Sequence, residues 1–309
     1  MKPRLLFADQ DRDFPDPAPE TRDVVRDLGL APILDTMASG DTYLHDVAER
    51  VLLAAPLTPE QVRYRQDILD DCLSLPDATR ELYELAGTAI EAKRRVHAWI
   101  PSNHPGSILR AAVAILRDLT DYLHRLHTFA EDHRQAVHSR GLTTLLDTIR
   151  DDLDDTYLTQ VRDYISQLEF PHGVVLTARL GPGATGVNYS LREAAPMPWW
   201  SKVADLMPLS RGYTYHLPPH DENGGITLER IAGHGINTVA NAAAQSADHV
   251  LSFFHRLHFE IGFYLACLNL HQALHDIGTP TCRPGIAVSG PGVSDERWCA
   301  TRRCGFERR

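Results

Sequence analysis

The chain has 309 residues, with 41 acidic against 31 basic side chains and a formal net charge of -10, a balance that disfavours a broad non-specific grip on nucleic acid. Hydrophobic residues make up 43% and charged residues 23%, as in globular proteins with a sizeable core. The only apolar run near the start, Leu5-Leu6-Phe7-Ala8, is too short for a signal-peptide core, and no stretch reaches the length of a membrane span, so a cytoplasmic chain without membrane contact is expected.

Residues 1–20 are rich in proline and aspartate and read as an irregular lead-in, either flexible or a strap. Residues 21–169 read as a helical core. Asp41 caps a helix with Leu44, Val47 and Val51 on one face, ended by Pro56. Thr58-Pro59-Glu60-Gln61 is a complete helix start, with Thr58 as N-cap, proline in the first turn and Gln61 closing a capping box. Val62, Leu69 and Leu73 supply its apolar stripe, and a following helix carries Leu82, Leu85, Ala89 and Val96. From Ser107, the residues Ile108, Ala112, Ile115, Leu119, Tyr122, Leu126 and Phe129 recur at steps of four and three, the seam of a long packed helix. Gly141 breaks it. Leu145 to Leu168 resumes helical patterning, and the acidic run Asp151 to Asp155 reads as a solvated face, since its spacing does not force the carboxylates together.

Residues 170–235 read as a β-containing insertion. Two short β-rich runs, residues 173–180 and 187–191, flank Gly181-Pro-Gly-Ala-Thr-Gly186, which makes the glycine-rich stretch a hairpin loop. Its two outer glycines have P-loop spacing. However, Val187 and Asn188 stand where the phosphate-binding lysine and the magnesium-binding hydroxyl belong, so no nucleotide is expected there. Arg211 to Leu217 reads as another strand and Asp221 to Gly225 as a turn. Residues 236–280 then form a long return helix in which Val250, Phe254, Leu257, Ile261, Tyr264 and Leu268 keep one face, with Gly278 and Pro280 as its end. The fold class expected is mainly α, a long-helix core and lever bundle with a small β-containing insertion.

No catalytic, cofactor or metal residue emerges. The odd number of cysteines, Cys72, Cys267, Cys282, Cys299 and Cys304, at irregular spacing, suits reduced thiols better than a disulfide framework or a four-ligand zinc site. His255 and His258, or His271 and His275, lie at helical ligand spacing but lack third and fourth partners. Cys267 sits in an apolar stripe, where an inert thiol is the default. Asn241, Gln245, Ser246, Asp248 and His249 form a polar cluster entering the long helix, explained equally by a functional surface or by capping and interhelical hydrogen bonds.

Ile33-Leu-Asp-Thr-Met-Ala-Ser-Gly-Asp-Thr-Tyr-Leu44 and Ala55-Pro-Leu-Thr-Pro-Glu-Gln-Val-Arg-Tyr-Arg-Gln-Asp-Ile-Leu69 together resemble the start of the helical core of MutS-family DNA mismatch repair proteins. The positions carrying the likeness are Leu34-Asp35, Gly40, Pro56-Leu57, Arg65 and Asp67. The blocks containing Asn237, Asn241, and Gln245-Ser246-Ala247-Asp248-His249, with Phe263 to Leu270 beyond, resemble the return helix of the MutS-related group that lacks the mismatch-reading first domain. The resemblance runs from about Leu28 to Pro284. It implies a modular ATPase in which a core and lever couple DNA-facing elements to an ABC-type domain that binds ATP and magnesium and dimerises.

The P-loop, magnesium aspartate and ABC signature are absent from these residues. The expectation is therefore no cofactor in this chain and no turnover by it alone, with DNA contact and homodimerisation dependent on the full-length family architecture. Residues 281–309 lose hydrophobic periodicity, and two readings are open: an out-of-frame replacement of the entry to the ATPase domain, or a basic tail touching DNA phosphates. A helical scaffold for protein–protein interaction is the alternative function.

Overall fold

A computed structural model describes residues 2–9, 14–15, 21–54, 57–97, 105–170, 175–184, 186–192 and 222–285. It is mainly α-helical: α1 Thr21–Asp27, α2 Ala31–Ala38, α3 Thr42–Leu52, α4 Pro59–Ser74, α5 Pro76–His97, α6 Pro105–His133, α7 Arg140–Asp152, α8 Asp155–Gln167 and α9 Glu222–Asp276, with a two-stranded sheet of β1 Val175–Leu180 and β2 Gly186–Arg192. The chain divides into two compact units. The first comprises residues 1–90, 124–154 and 252–309, and the second residues 91–123 and 155–251. The divisions after residues 90, 123 and 251 fall inside α5, α6 and α9.

In the first unit, local signals explain the helix starts. The Asp41 carboxylate accepts from the amides of Tyr43 at 2.8 Å and Leu44 at 3.4 Å, which satisfies donors that the first turn of α3 leaves open. Thr58 and Gln61 form a reciprocal box at the start of α4, with bonds of 3.0 and 3.3 Å. The core is built from Leu44, Val47 and Val51 of α3, Leu82, Leu85 and Ala89 of α5, Leu145, Leu146 and Ile149 of α7, and Phe254, Leu257 and Ile261 of α9.

Two expectations are corrected here. Val62, Leu69 and Leu73 are only half-buried, and the buried stripe of α4 is Arg65, Ile68, Asp71 and Cys72; two members are charged, so a hydrophobic pattern missed it. Gly141 does not break a helix but sits in the first turn of α7. A Cβ there would lie 2.4 Å from Ile68 Cδ1 and 2.8 Å from the Tyr64 hydroxyl, so glycine is required by close approach of α7 to α4. Of the two readings of the lead-in, residues 2–9 fit the strap, with Leu5, Leu6 and Phe7 buried.

In the second unit, Leu109, Ala112 and Val113 of α6, Ile165 of α8, and Ile236, Ala240 and Ala243 of α9 form a core, with Val161, Leu168 and Phe170 packed on it. The acidic run falls at the junction between α7 and α8, with Asp151, Asp152, Asp154 and Asp155 exposed around a buried Leu153. β1 and β2 pair antiparallel, Leu180 opposite Gly186 and Val175 opposite Arg192. Gly183 in the connecting turn takes φ +73°, a value that glycine adopts without strain. The glycine-rich stretch is thus a hairpin connection. The expected strand at 211–217 lies outside the described residues. The turn expected at 221–225 is helical from Glu222, and α9 begins 14 residues before the expected start at 236; two adjacent glycines argued for a turn, and the surrounding helix overrode them.

Candidate functional site

The residues singled out by the sequence fall in two separate groups. In the first unit, Asp35 is exposed on α2, 3.7 Å from His45 Nε2. Gly40, at φ +87°, allows the turn between α2 and α3. Leu57 is half-buried ahead of α4, and Pro56 lies outside the described residues. Arg65 and Asp67 belong to a denser arrangement around α4.

One turn of α4 engages two distant segments. The Tyr64 hydroxyl donates to the Arg4 carbonyl at 2.7 Å. Arg65 Nε donates to the Leu6 carbonyl at 2.9 Å, while its guanidinium carbon lies 4.6 Å from the Phe7 ring centroid and 6.0 Å from that of Phe263, a cation–π arrangement. From α9, the Glu260 carboxylate accepts from the amides of Leu5 and Leu6, and the buried Tyr264 hydroxyl donates to the Leu5 carbonyl at 2.7 Å. Burial pushes the Tyr264 phenol well above its usual range, so it stays a neutral donor. Phe14 extends the strap's packing, 5.8 Å from the Phe7 ring and 5.2 Å from that of Phe259.

On the neighbouring positions of α4, Gln66 Nε2 donates to the Pro284 carbonyl at 3.1 Å. Arg283 spans Asp67, at 2.5 Å, and Asp70. Asp71 accepts from the amides of His138 and Ser139, the latter at 2.7 Å, and so fixes the turn into α7. Beneath lies a cavity of about 20 Å³ lined by Asp71, Cys72, Thr79, His133 and apolar neighbours. Burial pushes the Cys72 and Cys267 thiols up to about 12, which makes both poor nucleophiles at neutral pH.

A second cluster in this unit joins α3, α5 and α9. The His258 ring stacks between Tyr43 and Tyr83, with centroids at 4.6 and 4.2 Å. Tyr83 donates to Asp41 at 3.1 Å. Two glycines make this approach possible: a Cβ on Gly87 would meet His258 Nε2 at 3.1 Å, and one on Gly262 would meet Tyr83 at 3.3 Å. Burial lowers the His258 pKa to about 4, with His255 adding to that direction and Asp41 opposing it, so the imidazole is neutral at pH 7. His271 is half-buried and His275 exposed. Among the described residues, no group of three or more His, Cys, Asp or Glu side chains is placed to hold a metal ion.

In the second unit, Asn237, Asn241, Gln245, Ser246, Asp248 and His249 are all exposed along α9. Asn237, Asn241, Gln245 and His249 recur every fourth position and therefore form one polar stripe. Ser246 bonds back to the Ala242 carbonyl at 2.9 Å and Asp248 pairs with Lys93 at 2.8 Å. With α9 starting at Glu222, these residues lie in mid-helix and none caps its start. Sequence reading offered the strap only as one of two alternatives and missed its partners, the clip at Arg283 and the stacked His258, because each joins residues far apart in the chain.

The described residues form a mainly α-helical fold with two clusters of interacting side chains in the first unit. The family model for the MutS2 N-terminal domain matches residues 58–277, and the chain belongs to that family. No curated protein and no solved structure matches it. No helix among the described residues is long and apolar enough to cross a membrane.

Proposed function

We propose that this chain is the core and lever portion of a MutS-related DNA mismatch repair ATPase, which relays nucleotide state to DNA-facing elements. The observation supporting this reading is that α5, α6 and α9 each pass unbroken from one compact unit into the other. α9 alone has 55 residues, a contour length of about 80 Å at the α-helical rise. A relay of this kind acts through alternative packings of the helices and needs no chemistry of its own. No P-loop motif occurs in these 309 residues; in this reading ATP, magnesium and dimerisation belong to the family's ATPase domain, and this chain by itself should not hydrolyse ATP.

The net charge of -10 and the exposed polar stripe of α9 favour a second reading, a non-catalytic scaffold for another protein. Fluorescence anisotropy with branched and mismatched DNA separates the two. Binding that weakens steeply with added salt supports the DNA relay. Failure to bind either DNA at low salt, both by this chain and by the chain joined to the family's ATPase domain, would sink it in favour of the scaffold.

A further inference from the structure

We propose that the segment leaving α9, residues 279–285, is an electrostatic latch on α4 that exchanges between a docked and a released state. Gly278, at φ +72°, turns the chain out of α9. The amides of Gly278 and Thr279 bond back to the His275 and Leu274 carbonyls, each at 2.9 Å, so the helix end is closed before the segment begins. Residues 277–285 are all exposed. None of these residues belongs to the buried core.

Its contacts through Arg283 and Pro284 are polar and lie within one stretch of α4. Arg283 bridges Asp67 and Asp70, which stand three positions apart and therefore on one face, and Gln66 donates to the Pro284 carbonyl. The three ionic side chains keep 45 to 51% of their surface in water. Exposed pairs of this kind contribute little and are screened by salt, while docking must order the backbone of the whole segment. A fork of one arginine on two carboxylates offsets part of that ordering cost, so the balance is close and ionic strength shifts it. The latch is independent of DNA binding and of the relay proposed above.

The test uses a nitroxide at residue 285, where a Cβ meets no heavy atom within 4 Å. The full chain carries Gly285→Cys together with Cys282→Ser, Cys299→Ser and Cys304→Ser. Electron paramagnetic resonance at low salt should show an immobilised and a mobile component. The mobile fraction should rise at least twofold at several hundred millimolar salt, and Arg283→Gln should give the mobile spectrum at every salt concentration. Arg283→Glu combined with Asp67→Lys and Asp70→Lys should restore the immobilised component and its salt response. A spectrum indifferent to both salt and Arg283→Gln overturns the latch, as does failure of the charge-reversed set to restore it. Circular dichroism of each variant verifies folding, and the exposure of all the altered charged residues keeps them clear of the core.

Discussion

At the scale of single residues, His258 shows how burial rather than a charged partner sets protonation. Its ring is held between two tyrosines, and its pKa falls from 6.5 to about 4. Above about pH 6.5 the imidazole is neutral in both the folded and unfolded chain, and stability is at its full value. As pH falls, the unfolded chain takes up a proton that the folded chain refuses until about pH 4, so stability is lost across that window, on the order of 2 kcal/mol after allowing for partial exposure. Urea titrations at about pH 7 and about pH 5 should show this loss, and His258→Gln should flatten it. Equal pH slopes for the two proteins would mean that the imidazole is solvated. None of this was legible in the sequence, where His258 stood only as half of a ligand pair with His255. The signal that existed was Gly87 and Gly262, two glycines inside helices, a placement that costs stability unless close packing requires it.

At the scale of elements, what could be read was what is local. The box at Thr58 and Gln61, the cap at Asp41, the seam of α6 and the hairpin loop at Gly181–Gly186 depend on residues within a few positions of each other, and their chemistry is visible in a short window. The buried face of α4 was not, because Arg65 and Asp71 are buried through bonds to the strap and to the turn before α7. The strap itself, one of two readings the sequence left open for the lead-in, is buried at Leu5, Leu6 and Phe7. Leu6 is 1% exposed, so Leu6→Ala should destabilise the chain by about 2–5 kcal/mol, the range for a leucine truncated in a core. Chemical denaturation would measure it. A loss below about 0.5 kcal/mol, typical of a surface position, would show that the strap is not seated in solution.

At the scale of the whole molecule, the family match and the physical unit have different limits. The match begins at residue 58, yet Leu5, Leu6, Phe7, Leu34, Met37, Leu44, Val47 and Val51 are core residues of the first unit. A fragment cut to residues 58–277 should therefore melt broadly and at lower temperature than the full chain, while still showing helical circular dichroism. A sharp transition at the temperature of the full chain would mean that the strap, α2 and α3 are dispensable. The long return helix was legible because its apolar face repeats over many turns. Its true start was hidden by Gly224 and Gly225, which signal a turn to any local reading.

The bond from the Leu5 amide to Glu260 spans 255 positions, and that from Tyr264 to the Leu5 carbonyl spans 259. During synthesis at roughly 5–20 residues per second, the residues of the strap wait on the order of 13–50 s for their partners in α9 to be made. For that interval Leu5, Leu6 and Phe7 are a sticky stretch on a nascent chain, a ready hold for a chaperone, and the first unit closes only after α9 has been translated.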